Sequence, residues 1–134
     1  MKYLLLSLWI LYVSGNCYAQ KVTEIEAQKA AQFAHKQMKA GMASQTKAPI
    51  VLSGEKGNDT LMYVFPYENN GFAIISANKA APPLLGFCKA GNFDLAEIPP
   101  GMAYLIEKYK YNLQRIIQTK LKPIPKIKHC GIII

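Results

Sequence analysis

The chain is short of acid. Its 134 residues carry eight Asp and Glu against sixteen Lys and Arg, a formal net charge of +8 at pH 7. Arginine is scarcer still: Arg115 is the only one, and every other cation is a lysine. Nucleic-acid sites favour the planar guanidinium fork, and the basic residues show no motif interleaved with aromatics. The charge therefore reads as a solvated surface, or as steering toward an acidic protein partner, ahead of nucleic-acid binding. Acid is also missing from one end. None follows Glu107, whereas Lys108, Lys110, Arg115, Lys120, Lys122, Lys126 and Lys128 do. Two readings stand for that run: a solvated helix face and tail, or a docking surface for an acidic groove.

Residues for catalysis are equally sparse. His129 and Cys130 are neighbours, and neighbours in an extended chain point to opposite sides. Cys88 ends an apolar run, where a small buried thiol is the usual explanation. His35 lies between Ala34 and Lys36 on a surface helix and is expected to be solvated. There is no CxxC, HExxH, EF-hand loop or glycine-rich phosphate loop, and one His–Cys pair falls short of the four ligands of a closed zinc site. Glu24 and Glu26 fall in a first helical turn, where acids favour the dipole. These absences point to no catalytic residue, no metal and no cofactor. A disulfide between Cys88 and Cys130 is permitted in an oxidising compartment, but sequence does not show that the two Cα atoms come within reach. Asn58-Asp59-Thr60 fits a glycosylation sequon and reads as a turn.

Long apolar runs are confined to the start. "YLLLSLWILYV" (3–13) follows Lys2 and is shorter than the roughly 20 residues that span a bilayer. "GNCYA" then ends in a small residue. This is the pattern of a secretory signal cut between Ala19 and Gln20, which predicts a secreted or periplasmic protein with no membrane span. The alternative is lipoprotein processing at Cys17. "VSGNC" is a poor lipobox for it, because Asn16 is bulky where Gly or Ala is usual.

What remains is patterned as one domain (20–118) followed by an extended basic tail (119–134). Thr23 with Glu26 forms a capping box. Ala27, Ala30, Ala31, Ala34 and Met38 then recur at helical spacing, with Phe33 beside them, up to a stop at Gly41. "PIVLS" (49–53), "LMYVFPY" (61–67), "FAIISA" (72–77) and "LLGFC" (84–88) read as strands separated by turn clusters. The third is apolar on both faces and is expected to be central. "IPPG" (98–101) opens a long helix, with Pro allowed in its first turn. The buried stripe of that helix is Met102, Leu105, Tyr109, Leu113 and Ile116, widened by Ile106 and Ile117. A helix, a run of four strands and a helix predict an α+β fold: a small antiparallel sheet packed with an N-terminal and a C-terminal helix, and a monomer. Bottom-up, this is a small secreted binding or inhibitory module.

"MYVFPYENNGFAIISANKAAPPLLGFCKAGNFD" (62–94) followed by "MAYLIEKYKYNLQ" (102–114) resembles the N-terminal prodomain of the streptopain-type cysteine peptidases, peptidase family C10. The same domain occurs alone as small inhibitors of the Spi type. The residues that carry the resemblance are Tyr63, Val64, Phe65, Gly71, Phe72, Ile74, Ser76, Pro83, Leu85, Gly86, Gly91, Phe93, Asp94, Glu107 and Tyr109. It covers roughly residues 23–117. It implies the same α+β fold and a partner: a streptopain-type cysteine protease, held inactive by non-covalent contact. In the streptococcal member of that family an Asn at the start of the last helix reaches the active site. The matching place here falls at Gly101 or in the Pro99-Pro100 pair, a departure from that pattern that leaves the fold implied by the resemblance untouched. The protease-contact candidates are Glu97, Ile98, Pro99, Pro100, Gly101 and Met102. Because the sequence ends at Ile134, about where a peptidase domain would begin, the expectation is a free-standing inhibitor without catalysis of its own. The alternatives are a truncated or frame-shifted remnant of a zymogen, which the apolar "GIII" end would fit, and a generic secreted envelope-binding module.

Overall fold

The computed structural model describes residues 21–38, 45–55, 57 and 59–121. The expectations for the signal segment, Cys17, Ala19, Gln20, Gly41, Asn58, His129, Cys130 and the tail beyond Leu121 lie outside the described residues.

Six elements follow in the expected order: α1 (Glu24–Met38), β1 (Ile50–Ser53), β2 (Thr60–Pro66), β3 (Phe72–Ser76), β4 (Leu84–Cys88) and α2 (Pro100–Gln118). The strands form one antiparallel meander in the order β1-β2-β3-β4. α1 opens on its capping box. The Glu26 backbone N–H donates to Thr23 Oγ1 at 3.3 Å, and the Glu26 carboxylate accepts from the Thr23 backbone N–H at 3.0 Å. The β2–β3 turn needs a glycine. Gly71 has φ +92°, and a Cβ there would lie 2.3 Å from the Cys88 carbonyl oxygen.

β2 and β3 are the inner strands, and each is apolar on both faces. Alternate side chains of a strand point to opposite sides, so the core divides in two. On one side Met62, Val64, Phe72 and Ile74 pack with Leu52, Phe93 and the α2 residues Ile106 and Leu113. On the other, Tyr63, Phe65, Tyr67, Ala73 and Ile75 pack with Ala27 and Ala31 of α1. The helices therefore cover opposite faces, giving three layers: helix, sheet, helix.

Two expectations need correction. His35 is buried, with 1% of its surface exposed. Its ring centroid lies 4.5 Å from that of Tyr67 and 6.4 Å from that of Phe87. The reason is periodicity: His35 is four residues beyond Ala31, which is four beyond Ala27, so it continues the buried row. Phe33 falls off that row and is 61% exposed. In α2 the deepest positions are Ile106 and Leu113, flanked by Met102, Tyr109, Ile116 and Ile117, while Leu105 is only half-buried beside them.

Candidate functional site

Among the described residues, those the sequence offers for catalysis make local structural contacts. The Cys88 thiol donates to the Ala90 carbonyl at 2.9 Å. His35 is sealed under two aromatic rings. The Glu26 carboxyl is lowered from 4.5 to about 2, chiefly by the Thr23 backbone N–H and then by the Lys79 ammonium. Burial pushes the Tyr67 phenol up, and its O–H donates to the Ala31 carbonyl at 2.7 Å. Among the described residues no group of His, Cys, Asp or Glu is placed to hold a metal ion. A shallow groove between the β1–β2 turn and the end of α2 is lined by Glu55, Asp59, Gln114 and Gln118. It contains carboxylates and amides but no nucleophile.

Several of the motif residues serve as scaffold. The Tyr63 O–H donates to the Val22 carbonyl at 3.3 Å, pinning the entry to α1. Ser76 Oγ accepts the Asn78 N–H at 3.1 Å and shapes the turn after β3. The Gly71 N–H donates to the Gly91 carbonyl at 2.8 Å, tying the β2–β3 turn to the turn after β4. Pairing between β3 and β4 slips so that Leu85 is an extra residue in a β-bulge. The Tyr109 hydroxyl of α2 donates to the Leu85 carbonyl. A bulge leaves one residue out of the ladder, and here α2 bonds to that residue.

These contacts converge on one segment. Phe93 is buried edge-on against Phe72, with ring centroids 5.2 Å apart. Asp94 Oδ1 accepts the Ala96 N–H at 2.9 Å, closing a local turn. Ile98 and Met102 pack inward on the α2-side core. Between and beside these anchors, Leu95, Ala96, Glu97, Pro99, Pro100 and Gly101 face solvent. Pro99 sits before the helix at φ −57°, ψ 144°, with no side-chain cap, and Pro100 occupies the first turn. A Cβ on Gly101 would meet nothing within 4 Å. The fold therefore gives no steric reason for a glycine there, and the helix start is bare. The six sequence candidates lie together as one ridge: Glu97, Pro99, Pro100 and Gly101 point out, and Ile98 and Met102 anchor it.

Sequence reasoning missed two exposed residues next to this ridge. Leu95 is 54% exposed and Tyr104 is 71% exposed. The helical phase was the available signal. Tyr104, Lys108, Tyr111 and Arg115 follow one another on the face opposite Ile106 and Leu113, so the basic residues of α2 do interleave with aromatics.

A buried scaffold thus holds an exposed, proline-stiffened ridge at the entry to α2. The chain belongs to the Spi protease inhibitor family, whose family model matches residues 19–113. Among curated proteins it is similar to the thiol protease/hemagglutinin PrtT of Porphyromonas gingivalis, with 24% identity over 114 residues. That match covers 82% of this chain, which spans only 13% of the relative's length. No solved structure gives a significant match.

Proposed function

We propose that this protein is a secreted, propeptide-like inhibitor that binds and blocks a streptopain-type cysteine protease and has no catalysis of its own. The observation that carries the reading is the Spi-inhibitor match across residues 19–113, which includes nearly all of the described domain. The ridge at 95–101 supports it, because the side chains of Leu95, Glu97, Pro99 and Pro100 face solvent while Phe93, Ile98 and Met102 anchor the segment to the core. A pre-ordered ridge loses little conformational entropy on docking. Contact is non-covalent and centres on Glu97, Pro99, Pro100 and Gly101. A domain of this size can present a standard interface of roughly 800 Å².

A second reading is that of a zymogen propeptide. It draws support from the relative PrtT, itself named as a thiol protease, in which the matched region is a small part. Both readings place the same ridge against the same enzyme class.

The test titrates residual activity of a streptopain-type protease encoded in the same genome against purified protein. Inhibition is expected at submicromolar concentration. Replacing Pro99, Pro100 and Gly101 together by Ala should weaken it at least tenfold while leaving the melting temperature close to that of the parent. If no such protease is inhibited at micromolar concentration, the reading fails.

A further inference from the structure

We infer that the outer face of α2 is a second arm of the protease contact, in which Tyr104 and Tyr111 anchor and Lys108 and Arg115 pair with carboxylates on the enzyme. This deepens the inhibitor reading and rests on it.

At 3.6 residues per turn, positions 104, 108, 111 and 115 fall within about 60° of one another around the helix. They make a row about 16 Å long at 1.5 Å per residue. The row lies opposite the stripe that packs on the sheet, so the fold does not use it. Both tyrosines are largely in solvent, at 71% and 61% exposure. The Arg115 guanidinium carbon lies 5.9 Å from the Tyr111 ring centroid, which holds a cation over an aromatic face.

Among the described residues the cations of this row make no ion pair. The ion pairs among the described residues are Lys21–Asp59, Lys79–Glu26 and Lys110–Glu107, and none includes Lys108 or Arg115. Glu107 is the only acid in α2 and is already held by Lys110 at 2.8 Å. No acid follows it in the sequence. The row is therefore an unneutralised positive strip carrying two phenol rings. Tyr and Arg are the side chains that most often dominate binding energy when an interface desolvates them.

The occupant has matching chemistry: a protein surface with two carboxylates about two helical turns, roughly 10 Å, apart, and apolar sockets beside them. Continuity selects the enzyme's flank. The row begins at Tyr104, one turn beyond Pro100 and on the same helix face as Pro100 and Gly101 of the ridge, so a protease seated on the ridge reaches Tyr104 first. A lipid surface fits less well, because cations divide the two rings and leave no continuous apolar stripe of the kind interfacial helices bury.

The experiment measures association and dissociation rates of the full chain on the same protease for three variants. Tyr104→Ala with Tyr111→Ala should raise the inhibition constant roughly 100-fold, mostly through faster dissociation. Tyr104→Phe with Tyr111→Phe should restore most of the affinity. Lys108→Ala with Arg115→Ala should slow association roughly tenfold at low salt and flatten its salt dependence. Far-UV circular dichroism and melting temperature should match the parent, since all four side chains are exposed. If both Ala pairs inhibit like the parent while the Pro99/Pro100/Gly101 triple variant is weakened, the second arm is overturned and the inhibitor reading survives. If the parent itself inhibits no such protease, both fall. Two controls separate other occupants, and each overturns the proposal if positive. One is binding to vesicles of phosphatidylglycerol and phosphatidylcholine that the tyrosine pair abolishes. The other is a dimer in analytical ultracentrifugation that the tyrosine pair converts to monomer.

Discussion

The two faces of the sheet are packed by different means. Under α1 the helix contributes little bulk apart from His35: Ala27 and Ala31 are fully buried, and Tyr63 and Phe65 of β2, with Tyr67 just beyond it, rise to meet them. The backbone of α1 comes close enough for Tyr67 to donate directly to the Ala31 carbonyl. Under α2 both partners bring volume, with Ile106 and Leu113 set among Val64, Phe72 and Ile74. One face is a close approach fixed by hydrogen bonds, and the other is an interdigitated aliphatic core. The lesson concerns positioning. α2 is seated by bulk and by one latch to β4, and that arrangement leaves its first turn and outer face unencumbered.

Four substitutions would break or sharpen this contrast. Phe72→Ala should have the largest effect. It removes a ring packed against Phe93 and should cost about 3–5 kcal/mol, loosening the ridge as well as the sheet. A urea melt reads the loss, and inhibition should fall with it. Ala31→Leu should cost about 1–3 kcal/mol, because the α1 face has no room for a larger side chain. If the melt is unchanged, the close approach is wrong. Tyr67→Phe and Tyr109→Phe each delete one hydroxyl and should cost about 1 kcal/mol apiece. They differ in consequence: only Tyr109→Phe, which frees α2 from the bulge at Leu85, should also weaken inhibition.

The smallest effect is one of pH. The Glu26 carboxyl titrates near 2 in the folded chain against an ordinary 4.5. A depressed folded value means that its stabilisation is complete above the ordinary value and disappears as pH falls toward 2. Melting temperature should therefore decline less steeply with acid in Glu26→Gln than in the parent. Parallel curves would show that the capping box adds nothing measurable.

Much of the fold was legible because local signals and tertiary needs agree. The Thr23–Glu26 box, the turn clusters and the Pro-Pro pair each mark a boundary that the structure keeps. The "FAII" run, apolar on both faces, announced an inner strand. The sequence was silent on which helix takes which face, since that depends on the hand of packing and not on periodicity. His35 was misread because its neighbours suggested a surface, while its phase with Ala27 and Ala31 decided otherwise. The ridge candidates came from the resemblance, and only the geometry separates Ile98 and Met102, which anchor, from Glu97, Pro99, Pro100 and Gly101, which face outward. The Tyr104–Arg115 row was written in the sequence but hidden among buried residues, because exposure follows phase and not residue type.

The prolines at the ridge have one more effect. A protease reads a substrate as an extended strand and pairs with its amide N–H groups. Pro99 and Pro100 have no N–H to give, and from Pro100 the chain winds into a helix. An enzyme pressed against the ridge would meet backbone that cannot be drawn straight through a cleft. Prolonged incubation followed by intact-mass measurement should find the bonds from Leu95 to Met102 uncut. The same pair that stiffens the ridge thereby withholds two of the N–H groups that substrate pairing uses.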